Sequence, residues 1–299
     1  LDIRAALRDG VLTSESTGTG QGFNLEARSR LPMRVGRGFD VGVDTDAPLA
    51  SQVTLTGRAE QVWALFGPED QSMRGELQAN MQAGGTLSAV TLTGGFAVKD
   101  GAYEHGETGL LLENIDATGA FDQQSARITK FEATDGNGGR LSALGALEWV
   151  GDAAGQITFT ARDLRALGRD DRFAIVSGQG ALELKADAIT VNGDFTIDQA
   201  RISVEQPASA SIPTLPGLRR VNFPGQVEEA PEDGDAPWLR PVQLDLKVKA
   251  DRRIVVFGRG LDTEWAANLR ITGPIADPSI AGTATMVRGS LDLGGRRFN

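Results

Sequence analysis

The sequence predicts an all-β protein built as one long, curved, repeat-based sheet with a single apolar face. Three observations carry this expectation. Apolar and polar side chains alternate almost throughout, helical signal is scarce, and one strand-like pattern recurs along the chain.

Alternation with a period of two is the mark of a half-buried strand, because successive side chains of a strand point to opposite faces. Val242-Gln243-Leu244-Asp245-Leu246-Lys247-Val248-Lys249 is the clearest run, with apolar residues on even positions and polar ones on odd. Leu141 to Trp149 and Ile189 to Ile197 alternate on odd positions, as do Trp265, Ala267, Leu269 and Ile271. Two short helices are expected as connectors between blocks of strands. The better one is Ala59 to Phe66, where Val62, Leu65 and Phe66 share a face before Gly67-Pro68. The weaker one surrounds Leu164 and Leu167.

The repeat is Gly, apolar at +2, usually apolar at +4, small at +7 and apolar at +9. Four copies are Gly94-Phe96-Val98-Gly101-Tyr103, Gly119-Phe121-Gln123-Ala126-Ile128, Gly193-Phe195-Ile197-Ala200-Ile202 and Gly282-Ala284-Met286-Gly289-Leu291. Looser copies start at Gly145 and Gly180, with Asp152 and Asp187 in the small position. The pattern reads as strand, tight turn, strand, so that stacked hairpins add to one sheet. Asp100-Gly101 and Asn192-Gly193 suit positive φ in a hairpin turn or bulge, and the abundant glycine, 38 residues, lets a large sheet bend.

Gln206 to Pro241 breaks the rhythm, holding seven of the 12 prolines and the acidic cluster Glu228, Glu229, Glu232, Asp233 and Asp235. Such a stretch neither pairs as strands nor buries much surface, and reads as an exposed, largely disordered insertion. The expected organisation is a β segment over 1–205, a proline-rich acidic loop over 206–241, and the same sheet continuing over 242–299. The chain opens on Leu1-Asp2-Ile3 inside a strand pattern and without an initiator methionine, so it reads as part of something longer.

Composition removes most chemistry. There is no cysteine, hence no disulfide, thiolate metal site or cysteine nucleophile. A formal net charge of −10 opposes binding to nucleic acid, and no run reaches the length of an apolar membrane helix. His105 is the single histidine and follows a predicted hairpin, so it reads as a surface residue rather than part of a triad or metal site. The 40 acidic residues lie on polar faces and in turns, with no spacing that nominates an acid and base pair. Gly18 to Gly22 and Gly36 to Val41 lack the Gly-Lys-Ser/Thr ending and following helix of a phosphate loop, and Asn137-Gly138-Gly139 lacks the tandem company of a calcium β-roll. No catalytic residue, cofactor or metal is expected.

Towards the C-terminus, Val255-Val256-Phe257-Gly258-Arg259-Gly260-Leu261-Asp262-Thr263-Glu264-Trp265 leads into Leu269-Arg270-Ile271-Thr272-Gly273. Asp277-Pro278-Ser279-Ile280-Ala281-Gly282, Val287 to Leu291 and Gly295-Arg296-Arg297-Phe298 follow. This order, with Ser177 to Ile202 and Gly94 to Tyr103 upstream, resembles the TamB family, the inner-membrane subunit of the translocation and assembly module and a relative of the AsmA-like, bridge-type lipid-transfer proteins. The resemblance covers most of residues 75–299 and implies a sheet folded into a taco, apolar inside, that spans the periplasm. It further implies an inner-membrane anchor outside this chain, an outer-membrane Omp85-type partner, TamA, and a final docking portion beyond the chain. Phospholipid transfer along the groove is the implied activity; assembly of outer-membrane proteins is the alternative.

Periodicity alone fits an ordinary closed β-sandwich with a dry core equally well. A membrane barrel would want aromatic girdles, and a glycan-binding solenoid stacked aromatics, yet the chain has one Tyr and four Trp. With the resemblance, Phe96, Val98, Phe195, Ile197, Leu244, Leu246, Trp265, Leu269 and Met286 are expected to point into one groove and to contact acyl chains, since same-parity residues of a sheet share a face.

Overall fold

The computed structural model describes residues 2–20, 22–35, 41–68, 70–149, 154–185, 187–204, 241–293 and 296–298. The proline-rich stretch, apart from Pro241, lies outside the described residues.

Strands β1 (Asp2–Arg8), β2 (Val11–Gly20) and β3 (Phe23–Val35) open the sheet, β4 (Val41–Val43) pairs with the end of β3, and β5 (Ala50–Arg58) returns beside β3. Helix α1 (Ala59–Phe66) follows as expected, its side-chain face at 62, 65 and 66 lying outside the described residues. A meander then runs through β6 (Gln71–Thr86), β7 (Ala89–His105), β8 (Leu110–Asp122), β9 (Ser125–Thr134), β10 (Arg140–Glu148), β11 (Ala154–Gly168), β12 (Arg172–Leu184) and β13 (Ile189–Ser203), each antiparallel to the next. It ends with β14 (Val242–Gly258), β15 (Leu261–Pro274), β16 (Ser279–Leu293) and β17 (Arg296–Phe298). The result is one open, curved sheet.

One step is parallel: β13 and β14 pair with Ile189 level with Val242 and Ser203 level with Phe257. The chain therefore has to return the whole length of a 15-residue strand, about 50 Å at 3.3 Å per residue, before β14 begins. No tight turn spans that, which accounts for a long connection between these strands. Proteolysis within 206–241 is accordingly expected to yield two pieces that stay together on native size exclusion, held by the parallel ladder; separation of the pieces would refute a single sheet.

The repeat proves to be something other than a hairpin. Gly94 to Tyr103 lies wholly within β7, Gly193 to Ile202 within β13 and Gly282 to Leu291 within β16. The switch from even to odd spacing between +4 and +7 marks an extra residue at a β-bulge, which restores the apolar side chains to the same face. Register shifts confirm it between Val98 and Gly101, around Ile197 and Ala200, and between Met286 and Arg288. Only the copy from Gly119 and the looser ones from Gly145 and Gly180 cross between strands. Asp100 sits at the β7 bulge with φ of 48°, where aspartate and asparagine tolerate the left-handed region, whereas Asn192-Gly193 is plain strand. Asn114 in β8 and Asp163 in β11 do the same work at φ of 51° and 49°.

Bulges in β7, β8, β11, β13, β14 and β16 lie at corresponding levels and form a crease across the strands, passing beyond the ends of the shorter β9 and β10. Each kinks its strand, so the crease curves the sheet. The bulge in β11 also corrects the expectation of a helix around Leu164 and Leu167: the extra residues at Asp163 and Ala166 shift the apolar phase and imitate a helical spacing inside a strand.

The densest core sits where β9 and β10 fall short. Beyond their turn β8 and β11 meet directly, with the Gly168 N–H donating to the Thr108 carbonyl at 2.9 Å. The Arg169 guanidinium adds bonds to the Gly106 and Glu107 carbonyls at 3.2 and 3.0 Å. Under this closure Val98, Leu112, Ile115, Ala117, Ala133, Ala161 and Leu164 form one buried cluster. Helix α1 packs at its edge, Trp63 standing edge-on to Tyr103 with ring centroids 5.8 Å apart and donating to the Gln71 carbonyl at 3.2 Å. An eight-residue helix is marginal alone, and this packing holds it.

Candidate functional site: an apolar inner face

The ladders carry one row of side chains across the sheet without a polar member. It runs Gly18, Leu25, Leu55, Ala79, Phe96, Gly119, Ile128, Gly145, Ile157, Leu182, Val191, Leu244, Gly273, each opposite or level with the next. Paired residues of neighbouring strands share a face, so this row defines the inner surface from β2 to β15.

The same registers place the nine expected groove residues on that face. Val98 lies opposite Leu77 and Ala117, Phe195 opposite Gly178, and Ile197 opposite Val176. Leu246 faces Ile271, Leu269 faces Val248, and Trp265 sits between Ile254 and Met286. Val98 is buried in the cluster at 7% exposure, Met286 is open at 54%, and the other seven are half-buried. The neighbouring outward row is polar: Thr160, Gln179, Asp194, Lys247 and Arg270 succeed one another, with Lys247 3.4 Å from Asp194 and Arg270 3.0 Å from Asp245. The Arg270 hydrogen bonds hold the Asp245 carboxyl below its usual range.

Glycines keep the inner floor thin. Phe96 lies across Gly119 and Phe121 across Gly94 in reciprocal pairs, so close that a Cβ at either glycine would overlap the ring. Phe195 covers Gly178 and Gly193, where an added Cβ would approach to 2.7 and 2.6 Å, and Phe159 covers Gly180 at 2.6 Å. Rings lying flat over glycine shield its backbone and leave room above. Phe159 and Phe195 stack with centroids 6.1 Å apart and form a shelf.

Over that shelf is a hollow of about 550 Å³ lined wholly by apolar side chains of β9 to β13, among them Phe131, Ile157, Phe159, Leu164, Leu182 and Phe195. A shallow depression on the opposite face, with Arg127, Leu144, Glu148, Gln156 and Thr158, is mixed in character.

Asp135, in the β9–β10 turn, is buried at 3% exposure beside the closure. Its carboxylate accepts the backbone N–H groups of Asn137, Gly139 and Arg165, each at 2.8 Å. Burial alone would raise its pKa, but those donors and the Arg165 charge outweigh it and hold the carboxyl below its ordinary value. Sequence reasoning passed over this residue; the signal was its place before Gly136-Asn137-Gly138-Gly139, a run built to wrap backbone donors around a carboxylate.

His105 also departs from the surface position expected of it. It ends β7 on the inner side and is half-buried rather than exposed, its Nδ1 3.4 Å from the Thr108 N–H and its Nε2 3.8 Å from Asp70. Among the described residues no group of three His, Cys, Asp or Glu side chains is placed to hold a metal ion.

A family model, the TamB C-terminal domain, matches residues 129–299, more than half of the chain. The chain belongs to the TamB family. No curated protein and no solved structure matches it. The TamB match takes in most of β9 and everything after it, including the parallel step, all of the hollow's lining but Ile128, and seven of the nine groove residues. Phe96 and Val98 precede the TamB match and join the same face through Gly119 and Ala117. No helix among the described residues is long and apolar enough to cross a membrane.

Proposed function

We propose that this chain is a non-catalytic segment of an envelope protein whose inner apolar face carries phospholipid tails between the inner and outer membranes. The observation that supports it most is the row from Gly18 to Gly273, apolar throughout and left half open. A sheet with one uncovered apolar face gains by covering it, and at about 0.8 kcal/mol per buried methylene a tail of ~16 carbons gains on the order of 10 kcal/mol before ordering costs. The head group stays in water at the open side. In this reading the full-length protein sits in the periplasm, anchored in the inner membrane by a segment outside this chain, and meets an Omp85-type outer-membrane protein, TamA.

A second reading, an assembly module for outer-membrane proteins with a dry core, draws on the buried cluster between β8 and β11. Photocrosslinkers distinguish the two. Placed at Phe96, Ile197 or Leu246 they are expected to label phospholipid, and at the outward Gln243 or Asp245 to label none. Equal labelling of both faces, or none from folded protein, would favour the dry module.

A further inference from the structure

The hollow over Phe159 and Phe195 does not continue into the closure between β8 and β11. Ala161 and Leu164 belong to both: they line the hollow and are members of the buried cluster, at 3% and 5% exposure. Ile115 and Leu112, at 2% and 5% exposure, belong to the same buried cluster as Leu164 and do not line the hollow, so on the Leu164 side the space meets packed side chains. Phe131 and Leu141 line the hollow and pack on the same cluster.

The chemistry of the lining selects the occupant. A peptide strand laid there would bring N–H and C=O groups to a surface offering no polar partner, a penalty of several kcal/mol. A helix satisfies its own backbone, but at 10–12 Å diameter one turn already fills on the order of 500 Å³, so only about one turn would fit. An apolar cavity of about 150 Å³ holds one benzene, so the 550 Å³ here holds about 20 carbons. That matches one acyl tail.

We infer that this hollow is a single-tail acyl subsite whose blind end is Leu164, packed in the buried cluster with Ile115, and that Leu164 sets the tail length it prefers. This rests on the lipid reading above and adds a specificity-determining residue to it. The Leu164 side chain is the part of the wall that meets the tail's terminal methyl: shortening it deepens the hollow, and enlarging it makes the hollow shallower.

The test is native mass spectrometry of the intact chain after incubation with an equimolar mixture of saturated fatty acids from C10 to C22. The wild type is expected to retain one chain with a maximum near C16 to C18. Leu164→Ala is expected to move the maximum two or more carbons longer and Leu164→Phe to move it shorter. Opposite shifts from one position exclude a general loosening of the fold, and Gln243→Ala, on the outward face, should leave the profile unchanged. Retention by all variants with one common length profile would overturn the subsite and leave the lipid reading standing. No retention by the wild type would overturn both.

Discussion

Replacing Ile197 or Leu246 with arginine is expected to cut phospholipid labelling from neighbouring inward positions at least tenfold while leaving the sheet folded. Ile197 has Val176 opposite it, and Leu246 is flanked by Gly193 and Ile271, so among the described residues their ladder partners offer no carboxylate to pair a guanidinium. Without lipid the long side chain reaches water past its half-buried position, and the fold loses little. With lipid the charge would be shut among methylenes unpaired, costing several kcal/mol, and each 1.4 kcal/mol is a factor of ten in affinity. Lys247→Glu on the other face is the control. It exchanges an exposed ion pair with Asp194 for an exposed repulsion, worth under about 1 kcal/mol, and labelling should hold. Undiminished labelling in both arginine variants would remove the inner face as the lipid path.

The inner face was legible in the sequence because parity is local. Val242 to Lys249 needs only its own alternation to sort Leu244 and Leu246 from Gln243 and Asp245, and the ladder agrees. The bulges were legible in position but not in kind. The repeat already contained the even-to-odd step, yet a residue added within a strand and a turn between strands disturb the parity alike. Length separates them: a hairpin would divide Gly94 to Tyr103, which instead lies within the 17-residue β7. The same ambiguity gave Leu164 and Leu167 a helical look, since two bulges in quick succession imitate a period near three.

What stayed hidden is what depends on distance along the chain. The contact of β8 with β11 follows from β9 and β10 being 10 and 9 residues long where their neighbours have 13 and 15, a deficit that means nothing until the four lie in order. The parallel pairing of β13 with β14 leaves no mark on either strand, since both alternate as antiparallel strands do. Glycines such as Gly119 and Gly178 read as bend points, whereas their role is to seat Phe96 and Phe195 from adjacent strands. Seats of this kind are pairwise, and one strand cannot announce its neighbour.

Asp135→Ala is expected to loosen the closure selectively. The substitution leaves the Asn137, Gly139 and Arg165 N–H groups without their acceptor in a place nearly closed to water. At about 1 kcal/mol or more for each orphaned donor, the local loss is about 3 kcal/mol. A sheet in which each strand touches mainly its neighbours transmits such a loss poorly, so it should appear as faster amide exchange in 108–115 and 161–168 and not in β14 to β16. The effect also carries a pH signature. Asp135 has its folded pKa below the reference of 3.8, so its contribution is fully present above that reference and is lost as pH falls through the lower folded value. Wild-type protection of the closure should therefore drop progressively as the pH falls below 3.8, while the alanine variant, already loosened, loses correspondingly less. Exchange followed on both proteins from neutral pH down through the acid range below 3.8 decides it. Uniform loss across the whole sheet, or equal acid sensitivity in the variant, would show that Asp135 is not what fastens β11 over the β9–β10 turn.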